Sequence, residues 1–289
     1  MRNLNKWFVR SSISKVILNT AQGGHVRNLC LTSHRSVAFF GIIHTIKMLD
    51  KSFTQSLISR KVKHYFVLND TLKKRVHPPK GISIHSFYPL DYPSYDQKIE
   101  KPKTAFWVTI IGGVEFRRKD LSGFISFAKT TAAHVKFIFL GKSDEHHEDV
   151  IQFKSMINTN GIDSKMVLFN EFVDQETFDA TLKVTDCILP LIHPNTPSAE
   201  EYFNRQISGA INVAFSYGIP MMIHEAYSEW EDFQSGVQFY NLSNQSEQFV
   251  ELMQRKNEFV EALKLNPKFS KNLQNEKFAK VILNHSDKS

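Results

Sequence analysis

From residue 104 onward, short apolar runs alternate with amphipathic segments. AFWVTIIGG precedes LSGFISFAKTTAA, VKFIFLG precedes EDVIQFKSMINTNG, and MVLFNEF precedes QETFDATLKVT; CILPLI, ISGAINVAFSYG, PMMIHEA and VQFYN follow. Runs that are apolar on both faces, separated by segments with a 3.6-residue period, predict parallel strands covered on two sides by helices. A doubly wound α/β sheet is the expectation for this stretch.

The first third of the chain carries the same accent with fewer elements. KVILNT, SVAFFGIIH, HYFVLND and ISIHSF read as strands, with a helical stretch through IKMLDKSFTQSLISRK and a short helix behind HYFVLND. About four strands predict part of a second Rossmann-like sheet, because a complete doubly wound lobe normally uses five or six. Either this lobe is minimal or the chain begins part-way through it. Between the two series, YPLDYPSYDQKIEKPKT combines prolines with alternating charge and no period, as an interdomain linker does. Past residue 242, NQSEQFVELMQRKNEFVEALK and PKFSKNLQNEKFAKVILN predict two amphipathic helices divided at Pro267. The expected organisation is a short Rossmann-like lobe at 1–95, a second at 96–242, and helices at 243–289 that pack on the lobes or bridge them.

Composition narrows the class without naming the chemistry. A length of 289 residues suits two modest domains, and 42% hydrophobic with 22% charged residues is a globular composition. Cys30 and Cys187 are the two cysteines, and their apolar surroundings predict buried free thiols in a reducing compartment. The first residues hold no apolar signal core, and VAFFGII at 37–43 is far too short to span a bilayer. The expected location is cytoplasmic, with peripheral contact at the inner membrane face as the alternative to free solution. The net charge of +7 admits phosphorylated small molecules, lipid headgroups or nucleic acid. Interleaved basic and aromatic motifs are missing, so nucleic acid is not the expected partner.

In an open parallel sheet, ligands sit beyond the carboxyl ends of the strands, where strand order reverses. After AFWVTII comes Gly112-Gly113, then Arg117-Arg118-Lys119 leading into a helix. Glycines let amides approach a phosphate, the helix start adds a positive dipole end, and the cations suit a diphosphate. A tight turn with a solvated basic loop is the competing reading of the same residues. A second candidate begins at Tyr202 and runs to Ser208-Gly209, where Ser208 is placed like an N-cap and Gly209 leaves a first helical turn open to an anion. An ordinary cap explains it equally well. Gly141, after VKFIFL, is a third strand-end position, and His44, after VAFFGII, is where an acceptor would meet the first lobe. The remaining histidines show no metal-ligand spacing and neither cysteine joins them, so no metal is expected. No Walker lysine loop, GxGxxG fingerprint or nucleophile elbow is present, which argues against an NTPase, a dehydrogenase and an α/β-hydrolase.

The order of elements across 104–242 resembles the family-4-like GT-B glycosyltransferases, especially divergent bacterial members that build polysaccharides and cell-surface glycans. GGVEFRRKD, VKFIFLG, MVLFNEFVDQETFDATLKVTDCILPL and a helix ending in YGIPMMI carry the likeness. The resemblance implies a nucleoside-diphosphate sugar as donor substrate, no other cofactor, and a glycan or lipid-linked glycan as acceptor. Lys119 matches the family's diphosphate lysine and Gly113 the glycine ahead of it, while Val114 stands where the family has an arginine. Arg117 or Arg118 would supply that charge from another backbone position. The family's pair of glutamates falls on Arg205 and Val213, and the pattern Tyr202, Ser208, Gly209 and Ala214 looks like that of the divergent subgroup, in which Ser-Gly would take over phosphate contacts. The resemblance thus implies a metal-independent transfer in which Lys119 and Arg118 stabilise the leaving diphosphate, with Gly112, Gly113, Arg117, Gly141, Tyr202, Ser208 and Gly209 around the donor and His44 on the acceptor side. An active transferase and a truncated, non-catalytic homologue that binds nucleotide or a partner chain both remain open at this point.

Overall fold

A computed structural model describes residue 4, residues 7–8, residues 10–33 and residues 36–284. The chain divides into two units, one of residues 1–89 with 204–207 and 272–289, the other of residues 90–203 with 208–271.

The first unit is built on four parallel strands, β1 (Lys15–Leu18), β2 (Ala38–Ile42), β3 (Val62–Val67) and β4 (Ser83–Ser86), side by side in chain order. Parallel neighbours need crossover connections. These are α1 (Gly24–Thr32), then α2 (Lys47–Lys51) with α3 (Phe53–Ile58), then α4 (Asp70–Arg75). The single helical stretch expected between β2 and β3 is interrupted at Ser52. Its backbone is extended, and its hydroxyl accepts from the Gln55 amide at 3.2 Å, so capping a new helix wins over continuing the old one. Helix α1 has no counterpart in the sequence reading, because GHVRNLCLT opens on glycine and shows little apolar period. Cys30 rides on it, buried.

One face of this sheet presses closely on its crossovers: a Cβ at Gly41 would lie 2.5 Å from the Ala21 Cβ. The Tyr65 hydroxyl is held there by Gln55 at 3.0 Å and Ser59 at 2.9 Å. Phe66 and Phe87 pack on Phe278 of the C-terminal helix, Lys271–Leu283, with ring centroids 4.5 and 4.8 Å apart.

The second unit carries six parallel strands: β5 (Phe106–Ile111), β6 (Val135–Lys142), β7 (Met166–Phe169), β8 (Cys187–Ile188), β9 (Met221–His224) and β10 (Val237–Tyr240). They lie in the order β10-β9-β8-β5-β6-β7, so the first strand of the unit sits beside its fourth and the order reverses between them. Its helices are α5 (Leu121–Thr130), α6 (Glu148–Thr159), α7 (Gln175–Val184), α8 (Ala199–Asn204), α9 (Gly209–Tyr217) and α10 (Gln245–Leu265), and the C-terminal helix already described in the first unit is α11. The run CILPLI pairs only through Cys187 and Ile188. Pro190 has no N–H for a ladder, and Leu191 turns to φ +58°.

The core of this unit is aromatic. Phe124 of α5 meets Phe137 edge-on at 4.9 Å, and Phe127 meets Phe249 of α10 at 5.1 Å. Val108 and Ile110 of β5 and Phe137 and Phe139 of β6 are fully buried beneath them, as a doubly covered sheet requires. The tail helices separate where expected, through a single turn at Pro267–Phe269. No described helix is long and apolar enough to cross a membrane.

Candidate functional site

The reversal between β5 and β8 leaves a crevice beyond their carboxyl ends, and a cavity of about 280 Å³ lies there. Ile111 and Gly112 leave β5 into one wall, and Pro190 and Ile192 continue β8 into another. Gly112 has φ +89°, the left-handed region that lets the chain turn away from the sheet at once. The turn is tied across the reversal by the Asp120 amide, which donates to the Leu191 carbonyl at 2.9 Å. Asp120 then caps α5 by accepting from the Gly123 amide at 3.0 Å. Leu191 holds its positive φ while buried, a strained backbone between two residues of the cavity wall.

Lys119 brings a cation to this wall. It is only 7% exposed, and its Nζ donates to the Gly113 carbonyl at 2.8 Å. Burial lowers its pKa to about 8; Glu115 opposes the change and Arg118 adds to it. Arg118 is exposed, with Nε 3.1 Å from the Glu115 carboxylate, and both side chains line the cavity.

The facing wall is the start of α9: Ser208, Gly209, Ala210 and Val213. Ser208 occupies the N-cap position with extended backbone, yet its hydroxyl makes no capping bond. A Cβ placed on Gly209 would have no heavy atom within 4 Å. The first-turn amides of a helix lack intrahelical acceptors and carry the positive end of the dipole. An anion in this cavity therefore has a buried ammonium on one side and helix amides on the other, the arrangement that stabilises phosphate groups.

Tyr92 and Tyr202 complete the lining. Tyr92 belongs to the stretch expected to be a linker, and that stretch is pinned to the unit. The Tyr92 ring lies 6.0 Å from that of Tyr217, whose hydroxyl donates to Asp179 at 2.9 Å. Asp179 also accepts from the Tyr95 amide at 2.9 Å and pairs with Lys183 at 2.6 Å. Next to the same strand ends, His193 and His224 meet edge to face at 4.5 Å. Each accepts a main-chain N–H at Nδ1, from Asn195 and Ala226, which puts the proton of the neutral ring on Nε2.

Of the residues singled out from the sequence, Gly112, Arg118, Lys119, Tyr202, Ser208 and Gly209 come together on this cavity. Gly113 and Gly141 are placed elsewhere, against each other's strand ends. A Cβ at Gly113 would lie 2.0 Å from the Lys142 carbonyl oxygen, and one at Gly141 would lie 2.6 Å from the Gly112 Cα. Arg117 is exposed, and its carbonyl accepts from the Ser198 amide at 3.1 Å and hydroxyl at 2.8 Å, fixing the segment ahead of α8. His44 lies in the first unit just after β2, exposed, with Nε2 3.0 Å from the Asn19 carbonyl oxygen. Tyr92 and Val213 line the cavity without having stood out as donor-site residues: Tyr92 carried no period, and Val213 was noted only for lacking a carboxylate. Among the described residues, no group of three or more His, Cys, Asp or Glu is arranged to hold a metal ion.

No protein-family profile matches the sequence, and no curated protein matches it. Solved structures do match in fold. The lipopolysaccharide outer core galactosyltransferase WaaB, in its apo form, is 14% identical over 98% of this chain and 78% of its own, with a TM-score of 0.56. The Anabaena HepE protein in complex with UDP is 12% identical over 98% of this chain and 82% of its own, with a TM-score of 0.68. Sucrose-phosphate synthase from Thermosynechococcus elongatus is 12% identical over 99% and 77%, with a TM-score of 0.64. With its two parallel sheets and the strand reversal at the cavity, the chain has the two-lobed Rossmann-like fold of the GT-B glycosyltransferases.

Proposed function

We propose that the chain binds a nucleoside-diphosphate sugar in the second unit and transfers the sugar to a hydroxyl acceptor, a glycan or lipid-linked glycan presented at the inner face of a membrane. The observation that carries this reading is the placement of Lys119 and the α9 amides on one cavity at the strand reversal. Negative charge grows on the leaving diphosphate as the glycosidic bond breaks, and fixed cations and amides aimed at it lower the barrier. Lys119 supplies a charge that is already desolvated, Arg118 a second at the rim, and Ser208 with Gly209 the amide end of α9; in this reading no metal ion is required. A fold shared with proteins solved with UDP supports the donor class.

Val213 favours a second reading, nucleotide binding without transfer, because α9 presents an aliphatic side chain to the cavity where the resemblance would have a carboxylate. Thermal stabilisation by UDP, GDP and their sugars, with and without EDTA, tests the binding common to both. Wild type should be stabilised in either condition, and the Lys119→Ala, Arg118→Ala double variant should not. Absence of any shift in wild type removes both readings. Donor hydrolysis or transfer by wild type then separates the first from the second.

A further inference from the structure

Charge is divided unequally along the chain. Residues 1–89 hold 15 Lys and Arg against only Asp50 and Asp70, whereas residues 90–289 hold 21 Lys and Arg against 27 Asp and Glu. The modest net charge of +7 conceals a strongly basic first unit.

The topology of that unit brings nine of those 15 cations to one end, while Arg27, Lys47 and Lys51 lie on segments that leave the other. Its four strands are parallel, so each segment leading into a strand arrives at the amino end of the sheet. Arg10 and Lys15 stand at the start of β1, and Arg60, Lys61 and Lys63 at the start of β3. Lys73, Lys74 and Arg75 close α4, and Lys80 follows on the way to β4. The two acids of residues 1–89 lie on segments that leave the carboxyl ends: Asp50 in α2, between Lys47 and Lys51, and Asp70 at the first position of α4, after β3; α11 adds Glu276 to the unit.

Exposed apolar side chains stand at the same end. Trp7 is 53% exposed beside Phe8, which packs on Phe39 near the start of β2, and the Lys61 ammonium lies 5.5 Å from that same ring. Leu31, in the last turn of α1, is 54% exposed. Leu283, 69% exposed, ends α11, and its carbonyl accepts from Lys15 at 3.4 Å.

Cations interspersed with Trp and Leu suit a bilayer surface: the charges attract anionic headgroups, and the apolar groups enter the boundary between headgroup and acyl chain. A sugar acceptor fits this end less well, since open α/β sheets take ligands at the carboxyl ends of their strands. We propose that the amino end of the first unit's sheet docks on membranes bearing anionic lipid headgroups. This deepens the membrane side of the proposed function and does not depend on the donor chemistry.

Co-sedimentation of the full chain with phosphatidylcholine vesicles, with and without one-third phosphatidylglycerol, tests it. Binding should be at least about tenfold tighter to the anionic vesicles and should fall steeply with added salt. The reversal Arg60→Glu, Lys63→Glu, Lys80→Glu should abolish it, Trp7→Ala should weaken it several-fold, and Lys129→Glu, Lys264→Glu in the second unit should leave it unchanged. Melting temperature and UDP binding, read on the same variants, report whether the fold and the cavity survive. Equal binding to neutral vesicles, or indifference to the first-unit reversal, overturns the proposal. So does binding of a single-stranded RNA oligonucleotide with no vesicle binding, which would make nucleic acid the partner. Vesicle binding by a wild type that ignores nucleotide would leave this proposal standing and remove the donor reading.

Discussion

The Lys119 ammonium donates to the Gly113 carbonyl at 2.8 Å, so the loop's own backbone holds the cation in the cavity wall before any ligand arrives. A lysine whose pKa is lowered to about 8 is protonated in both folded and unfolded chains below that pH, and the folded state then bears the full cost of burying the charge. Between about pH 8 and the ordinary lysine range the folded chain binds fewer protons, so the stability of the unliganded protein should rise with pH across that window. Nucleotide affinity should move the other way, falling as pH climbs through about 8 and the ammonium is lost. Lys119→Ala should flatten both profiles and weaken UDP binding by roughly 10- to 100-fold, the scale of one charge-assisted contact. Calorimetric titration across pH 6–10 checks it; an unaltered affinity profile in the variant removes Lys119 from the site.

The glycines around the cavity should separate into two groups. Gly209→Ala places a methyl in open space on a helix, so it should raise stability by up to about 1 kcal/mol while impeding close approach of a diphosphate to the α9 amides. Gly113→Ala and Gly141→Ala drive a Cβ into main-chain atoms of the neighbouring strand end and should cost about 1–3 kcal/mol or more. Thermal melts combined with UDP titration distinguish the groups; equal effects on stability at Gly209 and Gly113 would refute the division.

Tyr92 should matter to the ligand more than to the fold. Its ring lines the cavity, and burial raises its pKa, so the hydroxyl stays neutral at physiological pH. Tyr92→Phe should keep donor affinity within a few-fold, and Tyr92→Ala should lose about tenfold, the scale of an aromatic contact. Asp179→Ala should reproduce part of that loss without touching the cavity, because it frees the Tyr95 amide and Tyr217 that hold the segment. Unchanged affinity in both alanine variants would show that the segment is only structural.

Asp186 should govern acid stability of the second unit. The carboxylate is buried, which pushes its pKa up, but bonds from Lys101, Lys256 and the Trp107 amide outweigh burial and leave it lowered. Its contribution is therefore present above the ordinary aspartate range and lost as pH falls through the lowered value. Asp186→Ala leaves two lysines without their shared partner and should destabilise by about 3 kcal/mol near neutrality, with the gap to wild type closing in acid. Urea melts at pH 7 and pH 3 read this directly, and a pH-independent difference would contradict it.

The succession of strands and helices was legible in the sequence because period is a property of neighbouring residues: FWVTII and VKFIFLGK declare central strands by their own composition, and MVLF declares a strand although, at the sheet edge, its Val167 is exposed. The same locality exposed the cationic loop after β5 and the Ser208-Gly209 start of α9. It failed where formation depends on distant partners, as for α1, whose weak pattern is stabilised by packing, and for the run after Ile188, which proline and a positive φ at Leu191 remove from the ladder. The cavity itself belongs to tertiary structure. The order β10-β9-β8-β5-β6-β7 alone puts residues 112–119 opposite residues 208–213, and close approach of two strand ends turns Gly113 and Gly141 into packing residues. Parallel pairing likewise brings most of the lysines and arginines placed above, from Arg10 to Lys80, onto one end of a sheet, a grouping that no linear period encodes.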